Sequence, residues 1–329
     1  MSIELTFYEL CRTENINMSM QQSSTISRPA LREPNATITH SGQMQIRPLS
    51  PIMAAEVIGV DLRHVLDEQS RQVIQQAFLD YQMLVFREQT LSKRQQIAFS
   101  EQFGQLEEHR ARNRGDADFP LVHEVNNLDK QGIPSGELKS TQWHTDKSFR
   151  PAPAAATLLH AVTLPPHGGD TCFANMYAAY EALPDNEKAA LNEVRVVHSW
   201  PMSRENAGRS MGTEEISANP PMSHALVRVH PQTGRKALYL GMHAAYLEDV
   251  DFARGQVRIL ELEAHATQER FVYRHHWRPG DLLMWDNRCL LHRADSNFDV
   301  AQYPRVLQRT CLVGTPTDGQ RIARVPQDV

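Results

Sequence analysis

Phe271-Val-Tyr-Arg-His-His-Trp-Arg-Pro-Gly-Asp-Leu-Leu-Met-Trp285 reads as two strands and a turn. Aromatic, β-branched and aliphatic residues fill 271–275 and 281–285, and Arg278-Pro-Gly-Asp281 between them is a turn signal. Working outward, the same texture recurs at 225–229, 236–240 and 306–313, with a second turn signal at Pro231-Gln-Thr-Gly234. A helix over 255–267 interrupts these strands. Toward the N-terminus the periodicity changes. Residues 70–82 place Val73, Ile74 and Phe78 on one helical face, and Met83-Leu-Val-Phe86 follows as a buried strand. Ser92 caps a second helix over 92–103 that turns Ile97 and Phe99 inward, and Pro184 separates short helices at 177–183 and 185–194. Helices grouped early and strands joined by turns late predict an α+β fold. The expected core is a double-sheet jelly roll, a double-stranded β-helix, with flanking helices. No linker divides 43–329, which is expected to be a single domain. Residues 1–42 are rich in Ser, Thr, Asn and Gln and are expected to be a poorly ordered extension, with Met18 or Met20 as an alternative start.

Charge and cysteine content remove several classes of function. Thirty-four basic residues against 39 acidic leave a net charge of −5, which does not suit a nucleic-acid binder. No apolar run reaches the roughly 18 residues that span a bilayer, and no basic region leads into an apolar segment at the N-terminus. The four cysteines, Cys11, Cys172, Cys289 and Cys311, form no Cys-x-x-Cys pair and no disulfide framework, so a cytoplasmic setting is expected. Fifteen histidines leave metal binding open. The adjacent His275 and His276 do not form a metal pair, because neighbouring strand residues face opposite sides.

Thr141-Gln-Trp-His-Thr-Asp-Lys-Ser-Phe149 is more informative. His144 and Asp146 stand at i and i+2, so in a strand their side chains point to the same side. A histidine and a carboxylate converging on one point are two-thirds of a 2-His-1-carboxylate triad, which holds iron(II) and leaves positions open. His292, in Trp285-Asp-Asn-Arg-Cys-Leu-Leu-His-Arg293, is the candidate third ligand, following a strand and a turn. Beyond it Arg305 and Arg309 share a strand face, and arginine grips carboxylates bidentately. Two arginines beside an iron site suggest two carboxylates, one on a co-substrate and one on the substrate. Solvated positions for both are the bland alternative.

These motifs carry a resemblance. Leu84-Val-Phe-Arg87, Gln96-Ile-Ala-Phe99, Trp143-His-Thr-Asp146, Pro165-Pro-His-Gly-Gly-Asp-Thr171, Gly280-Asp-Leu-Leu-Met-Trp-Asp-Asn-Arg288 and His292-Arg occur in the order of one family. Over roughly 44–315 the chain resembles the taurine/2,4-dichlorophenoxyacetate dioxygenases, enzymes dependent on Fe(II) and 2-oxoglutarate, and its last third is nearer the dichlorophenoxyacetate branch. The resemblance implies Fe(II), 2-oxoglutarate and O2 as cofactor and co-substrates. It implies His144, Asp146 and His292 as metal ligands, Thr171 and Arg305 as contacts of 2-oxoglutarate, and Arg309 as a contact of the substrate's anionic group. The loop from His292 to Arg305 is slightly longer than the family pattern, although the i, i+4 spacing of the two arginines survives.

The same resemblance implies hydroxylation of a small anionic substrate, with release of succinate and CO2. An aryloxyalkanoate hydroxylated on the carbon bearing its ether oxygen would collapse to a phenol and an oxo acid. Sulfonates, phosphonates and amino-acid-like anions are the alternative substrates, and a non-catalytic jelly-roll binding protein is the alternative of another class. His109 and His243 are further candidate substrate contacts, and a homo-oligomer is implied.

Overall fold

The structure is a computed structural model that describes residues 38–39, 44–108 and 118–323. All of these residues lie in one compact unit within Arg32–Val329. Apart from 38–39, the expected N-terminal extension lies outside the described residues.

The first half runs β1 (Ile38–Thr39), β2 (Gln45–Pro48), β3 (Ala55–Ile58), α1 (Glu68–Tyr81), β4 (Met83–Phe86), α2 (Lys93–Glu101), β5 (His123–Asn126), β6 (Ala154–Thr163), β7 (Thr171–Asn175), α3 (Met176–Glu181) and α4 (Asp185–Leu191). The second half continues with β8 (Arg195–His198), α5 (Trp200–Asn206), α6 (Thr213–Ser217), β9 (Met222–Ala225), β10 (Val227–Val229), β11 (Lys236–Leu238) and β12 (Ala244–Leu247). Then follow α7 (Phe252–Ala266), a 3-10 turn (Glu269–Phe271), β13 (Val272–His275), β14 (Leu282–Asp286), β15 (Leu290–Ala294), β16 (Val306–Val313) and β17 (Arg321–Ile322).

An eight-stranded sheet in the order β1-β2-β3-β4-β14-β6-β16-β5 is the scaffold, and a three-stranded sheet β13-β7-β15 packs over it. The apolar runs of the large sheet are continuous because both faces are covered. Met83, Val85, Leu159, Leu283 and Trp285 face one core with Phe173, Leu290 and Leu291 of the small sheet. Their alternating neighbours Leu84, Phe86, Leu158, Leu282 and Met284 face a second core with Ile74, Phe78 and Phe99 of α1 and α2. The helices start where capping chemistry allows. Asp67 accepts from Ser70 N ahead of α1, and Ser92 with Gln95 forms a capping box ahead of α2.

Three expectations change. The strands on either side of Arg278–Asp281 do not pair with each other: β13 pairs with β7, while β14 pairs with β4 and β6. The turn carries the chain from one sheet to the other, and Asp281 holds it by accepting from Arg278 N (2.8 Å), from His275 Nε2 (3.0 Å) and from Arg87. Gly280 takes φ +77°, where an added Cβ would come within 3.1 Å of Gln89 O. The run 225–229 also divides, because β9 pairs with β8 while β10 forms the Pro231–Gly234 hairpin with β11. Finally β6, the strand between β14 and β16, was not foreseen. Its Ala-Ala-Ala-Thr start lacks strand propensity, and small residues suit its buried central place. Of the histidine pair, His275 is buried against Asp281 and the His276 side chain is 76% exposed, as alternation requires.

Candidate metal centre

His144 and His292 face each other as a backbone pair. His144 N donates to His292 O at 3.0 Å and His292 N donates to His144 O at 2.8 Å. This bridge seats the second ligand strand, β15, against the first ligand, and the two imidazole centroids lie 4.1 Å apart. The expected strand through His144 and Asp146 does not form. Only His144 is paired, and Asp146 lies in a turn that Lys147 continues at φ +59°. Asp146 is brought to the histidines by that turn, and Thr145 Oγ1 fixes the turn by donating to Asn287 O at 2.6 Å. Segment 241–242 closes the other side. Met242 N donates to Trp143 O, and a Cβ on Gly241 would stand 3.0 Å from His144 Cα.

The result is a buried triad in which one donor atom from each of His144, Asp146 and His292 lies within 4.8 Å of the others. Burial lowers the pKa of both histidines, so each presents a neutral imidazole. His144 Nδ1 lies 2.8 Å from Gln142 O, and a carbonyl can only accept, so Nδ1 carries the proton and Nε2 keeps its lone pair. Burial also opposes ionisation of Asp146. The positive charge of Arg309, with weaker help from the Thr157 hydroxyl, overcomes it and holds the carboxyl well below its usual range. Two neutral nitrogens and one carboxylate, all desolvated, fit a divalent transition metal with open coordination positions.

The arginines separate into two environments. Arg305 is 2% exposed. Its Nε donates to Gly169 O at 2.8 Å and its Nη2 to Thr171 Oγ1 at 3.2 Å, and no carboxylate among the described residues pairs with it. Burial pulls its pKa down to about 10 against the charge of Asp170. A buried cation without a counterion is costly unless an anion joins it. Arg309 is instead bonded through Nη1 to Asp146 Oδ1 at 2.9 Å, while its buried Nε has no partner. That bond to a metal ligand is neither of the two roles read from the sequence. It joins β16 to a turn 163 residues earlier in the chain and leaves no mark in the local pattern.

His243 is buried beside Phe149 and Trp200. Ser203 Oγ gives its proton to Trp200 O, so His243 Nδ1 must donate to Ser203, leaving Nε2 an acceptor. Burial pushes His243 down to about 3, so it is neutral and carries no charge for an anion. His109 lies outside the described residues. Two contributors were missed. Thr157 donates to Asp146 Oδ2 at 2.6 Å, and Asn287 Nδ2 donates to Thr157 Oγ1 at 2.9 Å. Asn287 stood inside a quoted motif, whereas Thr157 sat in the unrecognised strand β6.

Known proteins are similar to this chain. Residues 45–311 match the pattern of the taurine catabolism dioxygenase TauD, TfdA family. The alpha-ketoglutarate-dependent 2,4-dichlorophenoxyacetate dioxygenase of Cupriavidus pinatubonensis is 38% identical over 80% of this chain and 96% of its own length. The (S)-phenoxypropionate/alpha-ketoglutarate-dioxygenase of Sphingobium herbicidovorans is 34% identical over 86% of this chain and 99% of its own. A crystal structure of AAD-2 in complex with Mn(II) and N-oxalylglycine is similar with a TM-score of 0.73, at 36% identity, over 83% of this chain and 98% of that one. The chain belongs to the TauD, TfdA family and is an Fe(II)- and 2-oxoglutarate-dependent dioxygenase.

Proposed function

We propose that the chain hydroxylates a small aryloxyalkanoate-like carboxylate on the carbon bearing the ether oxygen, after which the hemiacetal collapses to a phenol and an oxo acid. The observation that carries this reading is the desolvated cation Arg305, whose partner Thr171 stands two residues along β7 from Phe173, the residue paired with His292 of the triad, in a chain whose similar proteins are named for phenoxyalkanoates. The fold in this reading is the double-stranded β-helix, with the large and small sheets as its two walls.

Bound iron supplies oxygen activation coupled to decarboxylation of 2-oxoglutarate, with succinate and CO2 as the co-products. Arg305 and Thr171 take the distal carboxylate of 2-oxoglutarate. Arg309 holds Asp146 through Nη1 and offers its remaining donors to the substrate's carboxylate. Phe149 and Trp200, with ring centroids 4.7 Å apart, keep an apolar wall beside His243, whose Nε2 can accept a hydrogen bond from a bound molecule. The free, buried Cys172, Cys289 and Cys311 support a reducing, cytoplasmic setting. The resemblance favours a homo-oligomer, which sedimentation velocity would test.

Succinate release across a panel of aryloxyacetates, aryloxypropionates, sulfonates and phosphonates tests the substrate class. Aryloxyalkanoates should give the highest kcat/KM, with activity abolished in His144→Ala and Asp146→Ala. Higher kcat/KM for a sulfonate or phosphonate would overturn the assignment.

A further inference from the structure

Thr171 opens β7 between β13 and β15, and its hydroxyl oxygen accepts two hydrogen bonds, from Trp277 Nε1 at 3.0 Å and Arg305 Nη2 at 3.2 Å. Neither direction is ambiguous, because an indole nitrogen and a guanidinium only donate. A hydroxyl has two lone pairs and one proton. With both lone pairs engaged, the proton must point away from Trp277 and Arg305, and no acceptor for it is found among the described residues.

The indole is itself held in place. Trp277 follows β13, packs partly buried against the main core, and stands edge-on to His275 at 4.8 Å and 84°. His275 in turn is tied to Asp281, which also anchors the turn that switches sheets. The segment that moves the chain between sheets thus delivers a fixed donor to the oxygen beside Arg305.

We propose that Trp277 is a positioning residue for 2-oxoglutarate. It keeps the Thr171 hydroxyl a double acceptor, and so presents that hydroxyl's proton to the carboxylate that Arg305 neutralises. Without the indole, a lone pair is freed and the proton is no longer committed to one direction, so part of the preorganisation is lost. This inference rests on the reading that Arg305 and Thr171 bind 2-oxoglutarate.

Anaerobic calorimetry of the Mn(II)-loaded protein with 2-oxoglutarate tests it without turnover. Trp277→Phe should weaken 2-oxoglutarate binding about five- to tenfold, the size of one hydrogen bond. The aryloxyacid KM should hardly move. In a Thr171→Val background, Trp277→Phe should add less than about twofold, whereas in Thr171→Ser, which keeps the hydroxyl, the loss should persist. An equal loss in the Thr171→Val background, or unchanged affinity in Trp277→Phe, would overturn the proposal. Parent protein that fails to bind 2-oxoglutarate would instead sink the co-substrate reading itself. The indole N–H resonance of Trp277 provides a measurement that does not depend on Trp277→Phe folding. It should move upfield and exchange faster in Thr171→Val, and an unmoved resonance counts against the bond.

Discussion

Asp146 is where the site's electrostatics concentrate. One oxygen accepts from Arg309, the other from Thr157, and Thr157 is oriented by Asn287. Thr157→Val keeps the shape, removes the bond to Asp146 and leaves the Asn287 amide N–H without its acceptor. Partners of this kind are worth 10- to 100-fold in metal affinity. Mn(II) titration of Thr157→Val should therefore show a Kd raised by about that factor; an unchanged Kd would show that Arg309 alone orients Asp146. The grouping of His144, Asp146 and His292 was legible because residue type and spacing suggest a shared metal site. Thr157 and the Arg309–Asp146 bond were not, since each joins residues distant in sequence.

Among the elements, segment 241–242 approaches the ligand segment closely, backbone against backbone. Gly241 has φ +106°, and a Cβ there would meet His144 Cα at 3.0 Å and Trp143 O at 3.1 Å. Backbone on both sides cannot yield as a flexible side chain does. Gly241→Ala should destabilise the fold by about 2 kcal/mol or more and weaken Mn(II) binding. Denaturant melts and metal titration check both effects, and a stable variant with normal metal affinity would refute the account. Helix α7 carries a different liability. Burial raises Glu263 from 4.5 to about 7, so the folded state binds more protons than the unfolded state between those values. Stability must then fall as pH rises from about 4.5 to 7. Glu263→Gln should flatten that fall and be about 1–3 kcal/mol more stable than the parent at pH 8. Urea melts at pH 5 and pH 8 measure it, and equal differences at both pH values would contradict the shift. The helices α1, α2 and α7 were readable from periodicity and caps. The short α5 and α6 were not, whereas the similarly short α3 and α4 were, because Pro184 marks the boundary between those two.

At the scale of the whole molecule, the triad joins β15 to the turn after His144, segments also tied by the His144–His292 backbone bonds and by Ala294 N donating to Ser140 O. A metal that binds the folded protein and not the unfolded chain stabilises by mass action, by about 2.7 kcal/mol at a hundredfold excess over Kd. Saturating Mn(II) should raise Tm by several degrees, and chelator should remove the gain. His292→Ala should show no response, and an equal rise in that variant would place the stabilising ion elsewhere. By itself the sequence singled out His144, Asp146 and His292 as candidate metal ligands, Arg305 and Arg309 as candidate carboxylate partners, and the helices α1, α2 and α7. These follow from side-chain chemistry and short-range periodicity, which act within a few residues. Only the tertiary structure decided that the turn at Arg278–Asp281 changes sheets, that Asp146 reaches His144 and His292 from a turn, and that Arg309 bonds to Asp146. Strand partners and buried charge pairs are chosen by competition among segments far apart in the chain, and that competition is settled only when the two cores close.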